Sequence, residues 1–221
     1  MTQVIQGLVP ITSRTTSSLI IDQLRQRIVD GTFPPGSQMA EAQLAVTFGI
    51  SRGPVREALQ RLIQEGLLRN VKNRGVFVVE LGPEDMGDVF LTRRLIERKA
   101  ATLLWRSKDE RILTRLEKAV DELAEALPGK ELSDVVAQDL AFHELLVESA
   151  ESPRLSRMYA TLVAETRIFL TGTVGGTPVD HSLVKEHRQL IDLLRTGSER
   201  RLLAAIDGHL DSALRHLIIP S

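Results

Sequence analysis

Asp139 and His143 stand four positions apart, which in a helix places a carboxylate and an imidazole on one face, a turn apart. Two more histidines, His187 and His209, lie in later segments of helical pattern. Cofactor sites in helical bundles form between facing helices, so these four side chains can converge on one centre. One carboxylate and three imidazoles suit a divalent metal ion. Zinc, nickel, iron and manganese all accept these donors, and the ligand set alone does not choose among them. The remaining histidines fit less well. His181 is six residues from His187 and faces away from it, and His216 is two turns from His209, about 10 Å by helix rise.

A second group could read DNA. Arg52 and Arg56 are four apart and share a helix face opposite the apolar Val55, Leu59 and Leu62. An arginine on such a face can pair bidentately with guanine O6 and N7, each good contact contributing about 1–3 kcal/mol of discrimination. Ser51 precedes that helix, at the positive end where a phosphate is favoured. Lys72 and Arg74 stand beside Gly75 in a polar turn that can reach the DNA backbone or minor groove. Two arginines on a helix also make an ordinary solvated face, and it is the order of elements around them that favours DNA.

Catalysis is the rival chemistry, since three imidazoles and a carboxylate around an open metal can activate water. The sequence has no HExxH, no adjacent His-Asp doublet, and no histidine three residues after a glutamate of the kind di-iron bundles use. No catalytic residue is assigned. A purely structural metal is the other alternative.

The elements that must position these residues are mostly helical. Leu19 to Val29 is amphipathic through Leu19, Ile20, Leu24 and Ile28, and Gly31 with Pro34-Pro35-Gly36 ends it. Glu41 to Phe48 is a second short helix stopped by Gly49; Ser51 caps a third, which tolerates Pro54 in its first turn and stops at Gly66. Leu67-Leu68 and Val76 to Val79 flank the turn Lys72-Asn73-Arg74-Gly75 as a hairpin. Three helices and a hairpin, with only Gly49-Ile50 between the second and third helices, make a winged helix-turn-helix. Beyond Gly82-Pro83 six longer helical patterns follow, at about 84–106, 108–127, 131–150, 153–171, 180–196 and 198–217. Ser107 to Glu110 reads as a capping box, Ser152-Pro153 as a helix start, Asp180 and Ser198 as caps, and Gly172 to Pro178 as a loop. The fold class is therefore mainly α: a winged helix-turn-helix over 1–80, with its ordered core from about 15, then an antiparallel six-helix bundle over 84–218.

Composition agrees. Of 221 residues 43% are hydrophobic, 26% charged and only 4% aromatic, which suits aliphatic helix packing and excludes a disordered chain. No apolar run is long enough for a membrane span and no secretory signal is visible, so a cytoplasmic protein without a membrane partner is expected. The absence of cysteine excludes disulfides and thiolate metal sites. The net charge of −1 divides unevenly: residues 1–80 carry 9 Lys and Arg against 6 Asp and Glu, and residues 81–221 carry 19 against 23. All five histidines fall in the acidic part.

The stretches Leu24 to Gly31, Pro35-Gly36, Gly49 to Leu59, Glu65-Gly66-Leu67 and Arg74 to Val78 resemble the GntR family of bacterial transcription regulators. The resemblance implies recognition contacts from Ser51, Arg52, Arg56 and the wing glycine Gly75. One departure is Ala42, where family members often carry an arginine after the residue matching Glu41, so one DNA contact is absent. The rest of the chain resembles the FCD effector-binding domain of the FadR branch, through Arg93 with Glu97, Asp139 to His143, Glu186-His187 and Gly197 to Leu210; six helices are similar to the VanR-type subgroup. That resemblance implies a divalent metal on Asp139, His143, His187 and His209, and a small organic acid effector completing its coordination. Arg93 and Arg167 are candidate effector-binding residues because the guanidinium fork matches a carboxylate, although either could be an ordinary helix-surface arginine. The implied function is a ligand-responsive regulator that binds a palindromic operator in double-stranded DNA as a homodimer.

Overall fold

The computed structural model describes residues 15–127, 132–172 and 182–218. The head begins with α1 (Thr16–Val29), α2 (Glu41–Phe48) and α3 (Arg52–Gln64) and closes with the antiparallel pair β1 (Leu68–Val71) and β2 (Gly75–Val78). The body is α4 (Pro83–Ser107), α5 (Glu110–Ala126), α6 (Leu132–Glu148), α7 (Pro153–Gly172), α8 (Ser182–Thr196) and α9 (Glu199–Ile218). This is a winged helix-turn-helix followed by a six-helix bundle, and no helix among the described residues is long and apolar enough to cross a membrane.

Local chemistry sets the boundaries. Thr15 caps α1 by accepting from Ser18 N at 3.2 Å, so that helix starts earlier than its apolar stripe suggests. Gly49 ends α2 in the left-handed region at φ 66°. The wing turns through residues 72–74, with Asn73 at φ 60°, and Gly75 (φ 105°) pairs with Val71 as the first residue of β2 rather than part of the turn. A further extended piece, unforeseen in the sequence, joins the wing: Met39 N donates to Val76 O at 2.8 Å and Val78 N to Ser37 O at 2.9 Å. The expected capping box at Ser107 to Glu110 is corrected. Asp109 is the cap of α5, its carboxylate accepting from Arg111 N at 2.9 Å, because Lys108 adopts a left-handed conformation that ends α4. The expected loop at Gly172 to Pro178, the cap Asp180 and His181 fall on positions of which only Gly172, the last residue of α7, is described.

Apolar residues at helical spacing build two cores. In the head Ile20, Leu24, Val55, Leu59, Leu62 and Val78 are buried together. In the body the stripes of α4 to α9 meet around Phe90, Leu116, Phe142, Tyr159, Leu190 and Leu202. Helix α7 serves both. Tyr159 and Val163 lie in the body core, whereas Ile168, fully buried, lies in the head core. Where the two halves meet, Gly66 (φ 76°) leaves room for α7: a β-carbon there would stand 2.5 Å from Thr161 Cγ2.

Candidate metal centre and nucleic-acid interface

The four expected ligands come together, with one ligand atom from each of Asp139, His143, His187 and His209 lying within 4.8 Å of the others. They arrive there because each occupies a core-facing position of its helix. On α8 the buried stripe runs Val184, His187, Leu190, Ile191 and Leu194; on α9 it runs Leu202, Ile206, His209 and Leu210. On α6 Asp139 and His143 alternate with Val135, Phe142 and Leu146. The imidazoles are 1%, 0% and 4% exposed at His143, His187 and His209, so water does not satisfy them.

The far nitrogen of every ring is tied down. His143 Nδ1 lies 2.8 Å from Glu97 Oε2, His209 Nδ1 2.7 Å from Glu186 Oε2, and His187 Nδ1 2.8 Å from the carbonyl oxygen of Leu183. A carboxylate or carbonyl oxygen can only accept, so these partners assign the ring proton to Nδ1 in each case. The three Nε2 atoms are then bare lone pairs. They converge: His143 Nε2 is 3.0 Å from His209 Nε2, and His187 Nε2 is 3.3 Å from Asp139 Oδ1. Neither His187 Nε2 nor Asp139 Oδ1 has a hydrogen-bond partner among the described residues, although both are buried. Buried acceptors facing one another with no proton between them are costly, and a cation among them removes the conflict. The residues fit a divalent ion, held by ligands that are themselves oriented through their second nitrogens.

Electrostatics point the same way. Burial pushes the His187 imidazole down to about 3, the Asp139 charge only partly opposing it, so that ring is neutral and ready to coordinate. Burial alone would raise Asp139, but the charges around it outweigh that effect and hold its carboxyl below the usual range. At Glu97 burial is likewise overcome, by His143, Arg93 and the Tyr159 hydroxyl, and its carboxyl is held far below the usual range. Glu97 anchors the arrangement, accepting from Arg93 Nε at 3.1 Å and from Tyr159 Oη at 2.7 Å as well as from His143.

Of the two arginines expected at the effector, Arg93 is close. It is buried, packed 4.7 Å over the Phe90 ring, and its charge acts on Asp139. Arg167 donates to Glu144, the neighbour of His143, at 3.2 Å and lines a hollow of about 490 Å³ at the seam between head and body, with Arg25, Glu65 and Thr161. Glu97, Glu186 and Tyr159 were not recognised as site residues; the signal was available in Arg93 and Glu97 at four-residue spacing, in Glu186 beside His187, and in the single tyrosine of the chain.

In the head, Ser51, Arg52, Arg56, Lys72, Arg74 and Gly75 are all exposed. Ser51 stands at the N-cap of α3 without a side-chain cap bond, leaving its hydroxyl and the first N–H groups of the helix available. Glu41 of α2 grips Arg56 through two hydrogen bonds of 3.0 and 2.8 Å and fixes its direction. Arg74 packs 5.6 Å over the Phe77 ring, and its carbonyl accepts from Gln38 Nε2 at 2.8 Å, which holds the wing tip.

Two family models match the chain. The family described as bacterial regulatory proteins, gntR family, matches residues 16–78, and the FCD domain matches residues 88–212. The chain is 30% identical over 200 residues to the HTH-type transcriptional regulator YdhC of Bacillus subtilis, covering 89% of this chain and 88% of that protein. It is 28% identical over 159 residues to the gluconate operon transcriptional repressor of Bacillus licheniformis, covering 71% and 65%. Among solved structures, a transcriptional regulator GntR from Rhodococcus sp. RHA1 superposes with a TM-score of 0.77 at 25% identity, covering 91% of this chain and 97% of that one.

Proposed function

This chain belongs to the gntR family of bacterial transcriptional regulators, in the branch whose body is an FCD domain, and from that membership we propose that it is a metal-centred sensor of a small organic acid. The relatives are regulators and not enzymes, which sets the metallohydrolase reading aside. Two copies of the head would read a palindromic operator, with Arg52 and Arg56 at base edges, Ser51 at a phosphate, and Lys72, Arg74 and Gly75 along the wing.

One observation carries the sensing half of this reading: three bare Nε2 atoms and an unpartnered Asp139 oxygen are buried around one point. Asp139, His143, His187 and His209 would hold a divalent cation, zinc first among candidates, which supplies residual positive charge and open positions suited to a carboxylate. Arg93 adds a fixed positive field beside that seat, and the apolar wall of Phe90 and Phe142 keeps water out. A relative named for a gluconate operon is consistent with a hydroxy-carboxylate effector class.

Helix α7 is the physical link from site to head. Its Tyr159 reports on Glu97, and Thr161, Ala164 and Ile168 pack against the head. An effector that moves α7 changes how the heads are held, a coupling of about 1–3 kcal/mol. The test uses zinc-loaded full-length protein, DNA fragments selected for binding, and a panel of hydroxy- and dicarboxylic acids. At least one acid is expected to change DNA affinity about 5- to 150-fold, an effect lost in His187→Ala. No response to any acid would overturn sensing. If a chelator instead unfolds the protein, the metal is structural.

A further inference from the structure

The hollow at the seam takes one wall from each half of the chain. Arg25, Arg61 and Glu65 line it from the head, and Arg157, Arg167 and Glu144 from the body. Four guanidiniums thus face two carboxylates, and both carboxylates are occupied within their own wall. Glu65 accepts from Arg25 Nη2 at 2.8 Å and from Arg61 Nε at 3.0 Å, and Glu144 accepts from Arg167 Nη2 at 3.2 Å. Arg25 is further satisfied by Asp22, which lies outside the hollow, at 2.9 Å. The other three arginines keep donors to spare. A guanidinium has five N–H groups; Arg61 and Arg167 each give one to a carboxylate, and Arg157 has no ion-pair partner among the described residues. Nor does any ion pair among the described residues cross the hollow from wall to wall. Glu165 of α7 does not line it and lies instead in the field of Asp85 and Asp88. Between the arginines the lining is apolar, with Val29 and Leu67 from the head and Ala160, Val163 and Ala164 from α7. Along α7 the lining runs from Arg157 to Arg167, about 15 Å by helix rise.

We propose that this hollow is a second ligand site, separate from the metal centre, for an elongated organic dianion with an acidic group at each end and an apolar chain between. Spare guanidinium donors at both ends of an apolar groove are the complement of such a molecule, since the guanidinium fork matches a carboxylate. The volume of about 490 Å³ falls within the roughly 300–1,000 Å³ of small-molecule sites. The two sites use different sides of α6: His143 is turned to the metal ligands and the next residue, Glu144, to the hollow. This inference goes beyond the sensor reading and does not depend on it. A dianion bound here joins Arg61 of α3 to Arg157 and Arg167 of α7, and so bridges the head and the body where the chain itself makes no ion pair.

The experiment is titration calorimetry of zinc-loaded, full-length protein with azelate as the probe, at low salt, with circular dichroism to confirm that each variant is folded. Azelate is expected to bind. Nonanoate, which lacks one acidic end, and succinate, which has both ends but a short chain, should each bind at least about tenfold more weakly. Arg61→Gln and Arg157→Gln remove exposed charges and should each weaken azelate about three- to tenfold. Ala160→Trp fills the groove from an exposed position without removing a charge, and should abolish binding. Azelate that binds but ignores all three substitutions sits at the metal centre or elsewhere, and would overturn this site. Equal affinity for nonanoate would overturn the dianion class, and no azelate binding would overturn the site outright. None of these results touches the sensor reading, which is decided by the response of DNA binding to acids and its loss in His187→Ala.

Discussion

Replacing Glu97 with glutamine tests the site at its anchor. Glutamine keeps the shape and one acceptor but removes the charge, and three groups depend on that charge: the Arg93 guanidinium at 3.1 Å, the Tyr159 hydroxyl at 2.7 Å and the His143 ring at 2.8 Å. Arg93 and Glu97 side chains are only 3% and 1% exposed, so water cannot replace the lost partner. Removing one member of a buried pair costs about 3–5 kcal/mol, because the other charge stays buried and uncompensated. In a chain of this size that lowers the melting temperature by about 10 °C. Loss of the anion behind His143 also weakens the ring as a ligand, and removal of such a partner costs about 10- to 100-fold in metal affinity. The assays are thermal unfolding of metal-free protein and zinc competition against a chromophoric chelator. Changing Arg93 to methionine in the same background removes the stranded cation and should recover much of the stability but not the metal affinity. If Glu97→Gln alters neither quantity, the anchoring role assigned to Glu97 is refuted.

At the seam, Gly66→Ala places a methyl group 2.5 Å from Thr161 Cγ2 in a left-handed backbone, and should destabilise the protein by about 2–3 kcal/mol in urea unfolding. Thr161→Ala in that background should return the steric share, roughly half, and leave the backbone share; no recovery would mean that α7 does not press on Gly66. Acid should destabilise the metal-free protein. His187 binds its proton at about 3 when folded and near 6.5 when unfolded, so the unfolded chain takes up protons first, and stability is lost as pH falls through that window by at most about 1.4 kcal/mol per unit. Asp139 and Glu97, held low in the fold, act in the same direction. His187→Gln should flatten the slope between pH 6 and 4 in urea titrations. In the head, Arg52→Ala and Arg56→Ala should each cost about 1–3 kcal/mol of discrimination between selected and random DNA, whereas Lys72→Ala should weaken both alike and reduce the salt dependence of binding.

The sequence disclosed most where a residue broke an apolar pattern. His187 and His209 occupy stripe positions that would otherwise carry leucine, and Asp139 with His143 does the same on α6; a titratable group on a core face needs a partner, and here the four supply one another. Helix borders with strong punctuation, such as Gly49 and Ser152-Pro153, were equally legible. What escaped depends on contacts between distant segments. The Ser37 to Met39 piece of the wing is extended only because β2 offers it hydrogen bonds. Tyr159 and Glu186 look like ordinary helix residues until the bundle closes and turns them toward Glu97 and His209. Arg167 is the converse case: its residue type suits a carboxylate, and only the packing of α7 shows that the carboxylate it meets within the chain is Glu144.

X-ray absorption at the zinc edge of the loaded, full-length protein addresses the central claim most directly. The account predicts one ion per chain, with three imidazole nitrogens and one carboxylate oxygen at about 2.0–2.2 Å, and a further oxygen scatterer once a responsive acid is added. Fewer than three imidazoles, or a spectrum unchanged in the Asp139→Ala and His187→Ala variants, would contradict it.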